Sequence, residues 1–196
     1  MTTTLPPTTD SIKKACAILK TGGVVIHPTE TCYGLACDLT NPDAVAKLFA
    51  LKQRPTNQPV SALLSSLEEA KKYVEWSEKA EELARAYLPG PLTLILPVRK
   101  DTPHVLYTTP HIPAPTVGIR ISSHPLAQQL AETYGKPLST TSVNIAGKPA
   151  CYSVKEVEEQ FGKLDDGVAV IHGEVLERKP PSRIVSLING HMKELR

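Results

Sequence analysis

Two short polar motifs combine residue types that could bind a polyanionic nucleotide. Lys52 and Arg54 end a predicted helix and offer a compact ammonium and a planar guanidinium fork, both suited to phosphate. Ser142 and Asn144 follow a β-branched apolar stretch that predicts a strand, and they offer a hydroxyl and a carboxamide. Because ligands of open α/β sheets bind beside strand ends, we expect these four side chains to form one nucleotide site.

Each motif also has an ordinary structural interpretation. Basic residues at a helix C-terminus commonly complement the helix dipole, and Ser, Asn and Gly are common turn residues. Arg120 is harder to explain in this way because it lies in an apolar predicted strand, 117–121, where an unpaired charge is rarely buried. The anion that Arg120 needs is either a partner side chain or a ligand carboxylate. A polar loop, residues 28–34, adds two hydroxyls, a carboxylate and a phenol directly after a buried strand.

The composition narrows the class of protein. A chain of 196 residues with 41% hydrophobic and 21% charged residues is typical of one soluble globular domain. The net charge of +2 is well short of the basic bias of a dedicated nucleic-acid binder, although a local basic patch stays open. No apolar run approaches the roughly 20 residues that cross a bilayer, and the N-terminus lacks the features of a signal peptide. We therefore expect a cytoplasmic protein without a membrane contact.

Several catalytic patterns are absent from the sequence. It contains no Walker-type phosphate loop, no GxGxxG fingerprint and no Gly-x-Ser-x-Gly elbow. Its four cysteines form no CxxC pair, and its six histidines form no metal-binding cluster, so we expect free thiols in a reducing cytosol and no metal ligands among the side chains.

The periodicity predicts an α/β fold with one sheet. Predicted strands (24–26, 35–39, 60–64, 93–96, 117–121, 138–143, 168–171 and 184–188) alternate with predicted helices. Strand 35–39 follows its neighbour too closely for a crossover helix, so the sheet should be mixed and twisted, with helices on both faces. We expect residues 1–9 to be a flexible tail and 10–196 to be the domain. The proline-rich segment 99–116 predicts a long functional or mobile loop.

Taken in order, six segments resemble the YrdC-type family of L-threonylcarbamoyladenylate synthases in its short, single-domain form, whose fold is YrdC/RibB-like. The segments are Gly22-Gly23-Val24-Val25, the loop 28–35, Lys52-Gln53-Arg54-Pro55, Pro89-Gly90-Pro91-Leu92-Thr93, Val117-Gly118-Ile119-Arg120, and 139–144 with Gly147. Each is weak alone, but together and in this order they span nearly the whole chain and are specific.

The resemblance implies a nucleotidyltransferase. Such enzymes make L-threonylcarbamoyl-AMP from L-threonine, bicarbonate and ATP, release pyrophosphate, and supply downstream tRNA-modifying proteins that form threonylcarbamoyladenosine. Mg²⁺ would accompany ATP and share the phosphate charge. Direct contact with tRNA or another RNA is a further expectation from the family's positively charged concave surface.

The resemblance also assigns roles to particular residues. Lys52, Arg54, Ser142 and Asn144 would be the catalytic set and would hold the triphosphate and the forming carbamoyl group. The other implied ATP contacts are Gln58, Thr116 and Arg196. The implied threonine contacts are Thr31, Tyr33, Arg120 and Thr140. Arg120 would then meet the threonine carboxylate, and Tyr33 would form a wall of the pocket.

The chain departs from the family pattern at three positions. Val143 stands where many members have alanine, Arg183 where many have threonine, and Ser186 where many have aspartate. Two alternatives to the synthase stay open at this point. One is a non-catalytic RNA-binding protein of the same fold. The other is a carbamoyl-transfer activity like that of the similar domain in hydrogenase-maturation proteins, which normally belongs to a much longer chain.

Overall fold

The computed structural model describes residues 3–55, 58–102 and 115–196. Ten strands and six helices are present in these residues. The strands are β1 (Thr3–Leu5), β2 (Val24–Pro28), β3 (Tyr33–Ala36), β4 (Ser61–Leu63), β5 (Leu92–Pro97), β6 (Thr116–Arg120), β7 (Leu138–Ser142), β8 (Val168–Ile171), β9 (Arg183–Ile188) and β10 (His191–Glu194). The helices are α1 (Thr9–Lys20), α2 (Pro42–Lys52), α3 (Leu67–Ala70), α4 (Glu78–Tyr87), α5 (Pro125–Tyr134) and α6 (Val154–Phe161).

All ten strands join one mixed sheet, which confirms the predicted α/β class. The strand order is β1-β8-β2-β3-β7-β4-β6-β5-β9-β10. The close neighbours β2 and β3 pair antiparallel, as the short connection between them requires, whereas β2 and β8 pair parallel. The loop predicted over 28–34 is shorter in the structure, because Pro28 already pairs with Tyr33 at the end of the hairpin.

The N-terminal segment differs from the flexible tail that we expected for residues 1–9. Thr3–Leu5 form strand β1, which pairs parallel with β8, and helix α1 begins at Thr9 with Thr8 as its N-cap. Leu5 is buried in the core beside α1. Pairing with β8 and burial of this one side chain order a segment that has no periodicity of its own. Most of the predicted loop 99–116 (residues 103–114) lies outside the described residues, and Thr116 begins β6.

Helices cover both faces of the sheet, as predicted. On one face, α1 and α5 pack against Val25, Ala36 and Leu63. The opposite face buries Val24 and Ile26 with residues of α2, α4 and α6. Successive residues of a strand point to opposite faces, so β2 contributes Val25 to one core and its neighbours to the other. None of the described helices is both long and apolar enough to cross a membrane.

Candidate active site

A cavity of about 250 Å³ lies on one face of the sheet, across strands β4, β5, β6, β7 and β9. On β5 and β6 the lining residues alternate along the strand, which is the period of an extended chain, whereas on β7 the consecutive Thr140 and Thr141 both line the cavity. On β6, Thr116, Gly118 and Arg120 line the cavity, whereas the intervening Val117 and Ile119 belong to the apolar core on the other side. Strand alternation therefore separates a polar cavity from an apolar core within one five-residue segment.

The cavity occupies the part of this sheet face that α1 and α5 leave uncovered. Ser61 lines the cavity, and Leu63, two residues further along β4, packs with α1 and α5. The same holds on β7 for Thr140 and Leu138. Residues two apart on a strand share a face, so the cavity lies beside the helices on the same side of the sheet.

Gly118 is required for the space inside the cavity. A Cβ atom at this position would lie 2.4 Å from Ser61 Oγ and 3.1 Å from Thr93 Cγ2. Any side chain there would force the side chains of Ser61 on β4 and Thr93 on β5 to shift. The floor of the cavity therefore consists of a bare backbone flanked by hydroxyl groups.

Helix α2 ends in the Lys-x-Arg motif, of which Arg54 lies at the cavity. Asn41 caps the helix by accepting hydrogen bonds from Asp43 N and Ala44 N, and Pro42 occupies its first turn. The helix ends at Lys52, and Gln53 adopts the left-handed conformation with φ 49° and ψ 43°. Because the left-handed residue ends the helix between them, the side chains of Lys52 and Arg54 point in different directions.

Lys52 is buried and holds the Ser-x-Asn motif. Its ammonium donates to the backbone oxygen of Ser142, to Asn144 O at 3.1 Å and to Asn144 Oδ1 at 2.9 Å. Ser142 Oγ donates to the same Asn144 Oδ1 at 2.7 Å. Three acceptors match the three N–H groups of an ammonium. Lys52, Ser142 and Asn144 thus form a cluster whose members bond to one another. Of the four residues predicted to form one nucleotide site, only Arg54 is among the described residues that line the cavity.

Burial and the neighbouring guanidinium of Arg54 lower the pKa of Lys52 from 10.5 to about 8. Both effects act in the same direction, because removal from water and a nearby positive charge each disfavour the charged amine. Lys52 therefore still carries a positive charge at neutral pH and loses it in the mildly alkaline range.

Arg54 lies on the wall of the cavity, and its hydrogen bonds are fewer and more exposed than those of Lys52. Its Nε donates to Gln58 Oε1, and its Nη2 donates to Pro59 O at 2.9 Å. Burial lowers the pKa of Arg54, without approaching the range in which an arginine loses its charge. Gln58, a predicted ATP contact, meets Arg54 and is not among the described residues that line the cavity.

Arg120 has the protein partner that its burial demanded. Nη2 donates to Glu30 Oε1 at 2.7 Å and to Thr31 Oγ1 at 2.8 Å, and Nη1 donates to Ser182 Oγ at 3.3 Å. The Nε atom is buried and has no partner among the described residues. Arg120 lines the cavity as well. Of the two anions that the sequence left open, the structure shows the side-chain carboxylate. Two guanidinium N–H groups, on Nε and Nη1, have no partner in the hydrogen bonds described for Arg120.

A third arginine reaches the cavity from the end of the sheet. Arg196 donates from Nε to Ser182 O at 3.1 Å and from Nη2 to Ser182 Oγ at 3.3 Å. Its backbone oxygen accepts from Ile184 N at 2.8 Å, which brings it beside β9. The Ser182 hydroxyl thus lies between Arg120 and Arg196. None of the described residues that line the cavity is acidic, so the three arginines make it a site for anions.

The predicted threonine contacts divide into three groups. Arg120 and Thr140 line the cavity, and Thr31 reaches it only through its hydrogen bond with Arg120. Tyr33 does not fit its predicted role as a cavity wall. It is fully buried in the core, accepts from Gly173 N at 3.1 Å, and its hydroxyl donates to Glu174 O at 3.2 Å. The register of the β2–β3 hairpin directs this ring into the core, away from the arginines.

The three departures from the family pattern lie outside the cavity. Val143 is fully buried in the apolar core. Arg183 points to the exterior, where its guanidinium binds both oxygens of Glu194 at 3.0 and 3.2 Å. Ser186 is not among the lining residues either. The residues on either side of Arg183, Ser182 and Ile184, line the cavity. The hydroxyl group that this part of the chain offers to the cavity is therefore that of Ser182.

Sequence reasoning missed five residues of the site. Four are hydroxyl residues that line the cavity, and the fifth is the carboxylate bound to Arg120: Ser61, Thr93, Thr141, Ser182 and Glu30. A signal for the first two exists, since each is a polar residue in an otherwise apolar predicted strand. Glu30 has no such signal, because its partner lies 90 residues away along the chain.

Fold and site together define a single-domain mixed α/β protein with an arginine-rich, hydroxyl-lined cavity for an anionic ligand. The Sua5/YciO/YrdC family model, which carries the description "Telomere recombination", matches residues 17–196. The chain belongs to this family.

The sequences of two named relatives align with most of this chain. A Vibrio campbellii protein named threonylcarbamoyl-AMP synthase is 37% identical over 169 residues, which cover 85% of this chain and 88% of that protein. A Klebsiella pneumoniae protein of the same name is 34% identical over 186 residues, covering 93% and 94%.

Solved structures show the same fold. P. abyssi Sua5 in complex with L-threonine superposes with a TM-score of 0.86 at 30% identity, covering all of this chain and 57% of that one. E. coli YciO superposes with a TM-score of 0.85 at 26% identity, covering 100% and 94%. This chain therefore corresponds to somewhat more than half of Sua5 and to nearly all of YciO.

Proposed function

We propose that this protein synthesises L-threonylcarbamoyl-AMP from L-threonine, bicarbonate and ATP, with release of pyrophosphate. The observation that carries the proposal is the convergence of Arg54, Arg120 and Arg196 on one hydroxyl-lined cavity without an acidic lining residue among those described. Two relatives that align over most of the chain are named for this reaction. The site combines room for a triphosphate with a separate guanidinium for an amino-acid carboxylate.

The reaction joins two anions, which explains a site built from positive charge. Bicarbonate first loses water to give CO2, taking up one proton, and the neutral threonine amine adds to CO2 to form a carbamate, releasing one proton. A carbamate oxygen then attacks the α-phosphorus of ATP, and the bond from that phosphorus to the bridging oxygen breaks as pyrophosphate leaves. Charge neutralisation and positioning are the main contributions that a protein can make to such a step. Arg54 and Arg196, with the hydroxyl of Thr116, bind the phosphates and the nucleotide. Arg120 and Thr140 bind threonine.

The buried cluster of Lys52, Ser142 and Asn144 supports the reacting groups. Lys52 adds a positive charge beside the phosphates and holds the turn that presents Ser142 and Asn144. Gln58 acts through Arg54, and Thr31 acts through Arg120, because their hydrogen bonds go to these guanidinium groups.

Mg²⁺ enters this proposal as the companion of ATP. No group of three or more metal-ligating side chains occurs in the described segments. The chemistry of the cavity fits a metal held by phosphate oxygens, because its described lining offers cations and hydroxyls. Bound in this way, Mg²⁺ neutralises phosphate charge and polarises the α-phosphate.

The decisive experiment is pyrophosphate release with ATP, Mg²⁺, L-threonine and bicarbonate. We expect release that depends on all four components and a product whose mass is that of threonylcarbamoyl-AMP. L-valine, which has the shape of threonine without its hydroxyl, is the matched control and should support much slower release. Absence of threonine-dependent release would refute the proposal.

The product would serve proteins that modify tRNA. No observation favours the non-catalytic RNA-binding alternative. Titration with tRNA at increasing salt tests direct contact, because affinity that comes from phosphates falls steeply with salt.

A further inference from the structure

We propose that Glu30 is a positioning residue for the amino-acid substrate: it holds Arg120 so that the guanidinium keeps its unused N–H groups for the substrate carboxylate. The inference rests on the proposed function, since it takes threonine as the ligand of Arg120. Glu30 is not among the described residues that line the cavity, so it acts through Arg120 and not by touching the substrate.

Protein acceptors use only some of the N–H groups of the Arg120 guanidinium. An arginine side chain carries five N–H groups in a fixed plane. Glu30 and Thr31 both accept from Nη2, and Ser182 accepts from Nη1. These contacts fix the plane of the guanidinium from two sides. They also use both N–H groups of Nη2, which a bidentate carboxylate would otherwise take.

The Nε atom of Arg120 is buried without a described hydrogen-bond partner. Arg120 is only 8% exposed, and its Nε finds no acceptor among the described residues. Buried N–H groups without a partner are uncommon in folded proteins, and each one calls for an explanation. Because Arg120 lines the cavity, the N–H groups of its guanidinium that protein acceptors leave unused are the ones that a ligand carboxylate there would take.

Glu30 is itself held in place by hydrogen bonds. Ser122 Oγ donates to Glu30 Oε2, and the same Oγ accepts from His124 N at 3.2 Å, at the start of α5. Burial raises the pKa of Glu30, but the charge of Arg120 and the hydrogen bonds from Ser122 and Arg120 outweigh it and leave this pKa below its ordinary value. The carboxylate is therefore charged at neutral pH and anchored to the helix.

The loss of this anchor has a specific consequence. Without the carboxylate, one N–H group of Nη2 loses its charged partner, and only the neutral hydroxyls of Thr31 and Ser182 still hold the guanidinium. The substrate carboxylate then meets a mobile partner. Threonine binding should suffer far more than ATP binding, because Arg54 and Arg196 have no hydrogen bond with Glu30 among those described.

The test compares Glu30→Gln with wild type by calorimetry, measuring the dissociation constants of L-threonine and of ATP separately. Glu159→Gln, which removes an exposed carboxylate on α6, is the matched control. We expect Glu30→Gln to weaken threonine binding at least tenfold, with ATP binding within twofold and the control unchanged. Glu30→Asp, which keeps the charge on a shorter side chain, should restore part of the threonine affinity.

Other results would overturn the inference. A Glu30→Gln protein that binds threonine within twofold of wild type removes the positioning role, even while wild type releases pyrophosphate. Equal weakening of both ligands, with a lower melting temperature, assigns Glu30 to general stability. If Glu30→Gln does not fold, Glu30→Asp decides by the same split between the ligands. A wild-type protein that neither binds threonine nor releases pyrophosphate refutes the proposed function, and the inference fails with it.

Discussion

The two halves of the site differ in how their positive charges are used. In the buried half, the three N–H groups of Lys52 all donate to Ser142 and Asn144. In the open half, Arg54 and Arg196 lie on the cavity wall, and Arg120 keeps a buried Nε without a partner in the described residues. One half is a closed hydrogen-bonded cluster, and the other retains donors that a ligand can use.

The buried cation therefore has a structural role, and the cations at the cavity wall have a role in ligand binding. A cation whose donors are all satisfied inside the protein contributes charge and holds its neighbours, and its removal disturbs the fold. A cation at the cavity wall contributes mainly when a ligand arrives, and its removal costs little stability. Four changes test this comparison.

Lys52→Ala should have the largest effect. It leaves the acceptors at Ser142 and Asn144 without their donor, and unsatisfied buried acceptors cost roughly 1–3 kcal/mol each. Because relief of the lysine's own burial offsets part of this cost, we expect the free energy of unfolding to fall by about 2–4 kcal/mol. The rate of pyrophosphate release should fall at least ~100-fold, because the site loses its buried positive charge and the turn it holds. Urea denaturation and a pyrophosphate assay measure the two effects.

Lys47→Ala, on the exposed side of the same helix, is the control for Lys52→Ala and should be neutral in both measurements. Unchanged stability of Lys52→Ala would contradict the architectural role of the cluster.

Arg54→Ala should affect activity without a matching loss of stability. Its hydrogen bonds to Gln58 and Pro59 are exposed, so we expect the unfolding free energy to change by less than about 1 kcal/mol. The KM for ATP should rise at least tenfold, since one charge-assisted phosphate contact contributes about 1.5–3 kcal/mol. A stability loss as large as that of Lys52→Ala would remove the contrast between the two halves.

ATP binding should weaken as the pH rises through about 8. The pKa of Lys52 is lowered to about 8, so its ammonium is charged below this pH and becomes neutral above it. The charge of ATP changes little in this range, because its terminal phosphate is already mostly ionised at pH 7, and calorimetry from pH 7 to 9.5 without bicarbonate isolates the protein group from bicarbonate equilibria. We expect a several-fold higher dissociation constant at pH 9 than at pH 7. In Lys52→Met this dependence should vanish, and a flat profile in wild type would contradict the assignment.

Arg183→Thr should have the smallest effect, although it restores the residue common in the family. Arg183 makes an exposed ion pair with Glu194, and such pairs contribute little to stability because water screens them. The kinetic constants for ATP and threonine should stay within twofold of wild type. A larger change in the threonine KM would show that the exterior face of β9 influences the cavity.

Much of the fold was predictable from local signals. The Asn41-Pro42 start of α2 and the Ser153-x-x-Glu156 start of α6 predict helices that the structure contains. Strand β1 was not predictable, because three residues show no period and depend on β8 for their order. The same limit explains Tyr33: its residue type suits a pocket wall, but hairpin register buries its ring.

The order of residues along the chain establishes which chemical groups are available, and the two-residue period of the strands establishes which of them share a face. It places cations at one helix end and a hydroxyl with a carboxamide at one strand end. Which donors stay without a protein acceptor depends on the folded protein, because a hydrogen bond needs partners that the fold brings together across the sheet. Glu30 and Ser142 lie about 90 residues from Arg120 and Lys52, their respective partners. Those contacts make Lys52 part of the framework and leave Arg120 with a donor for the ligand.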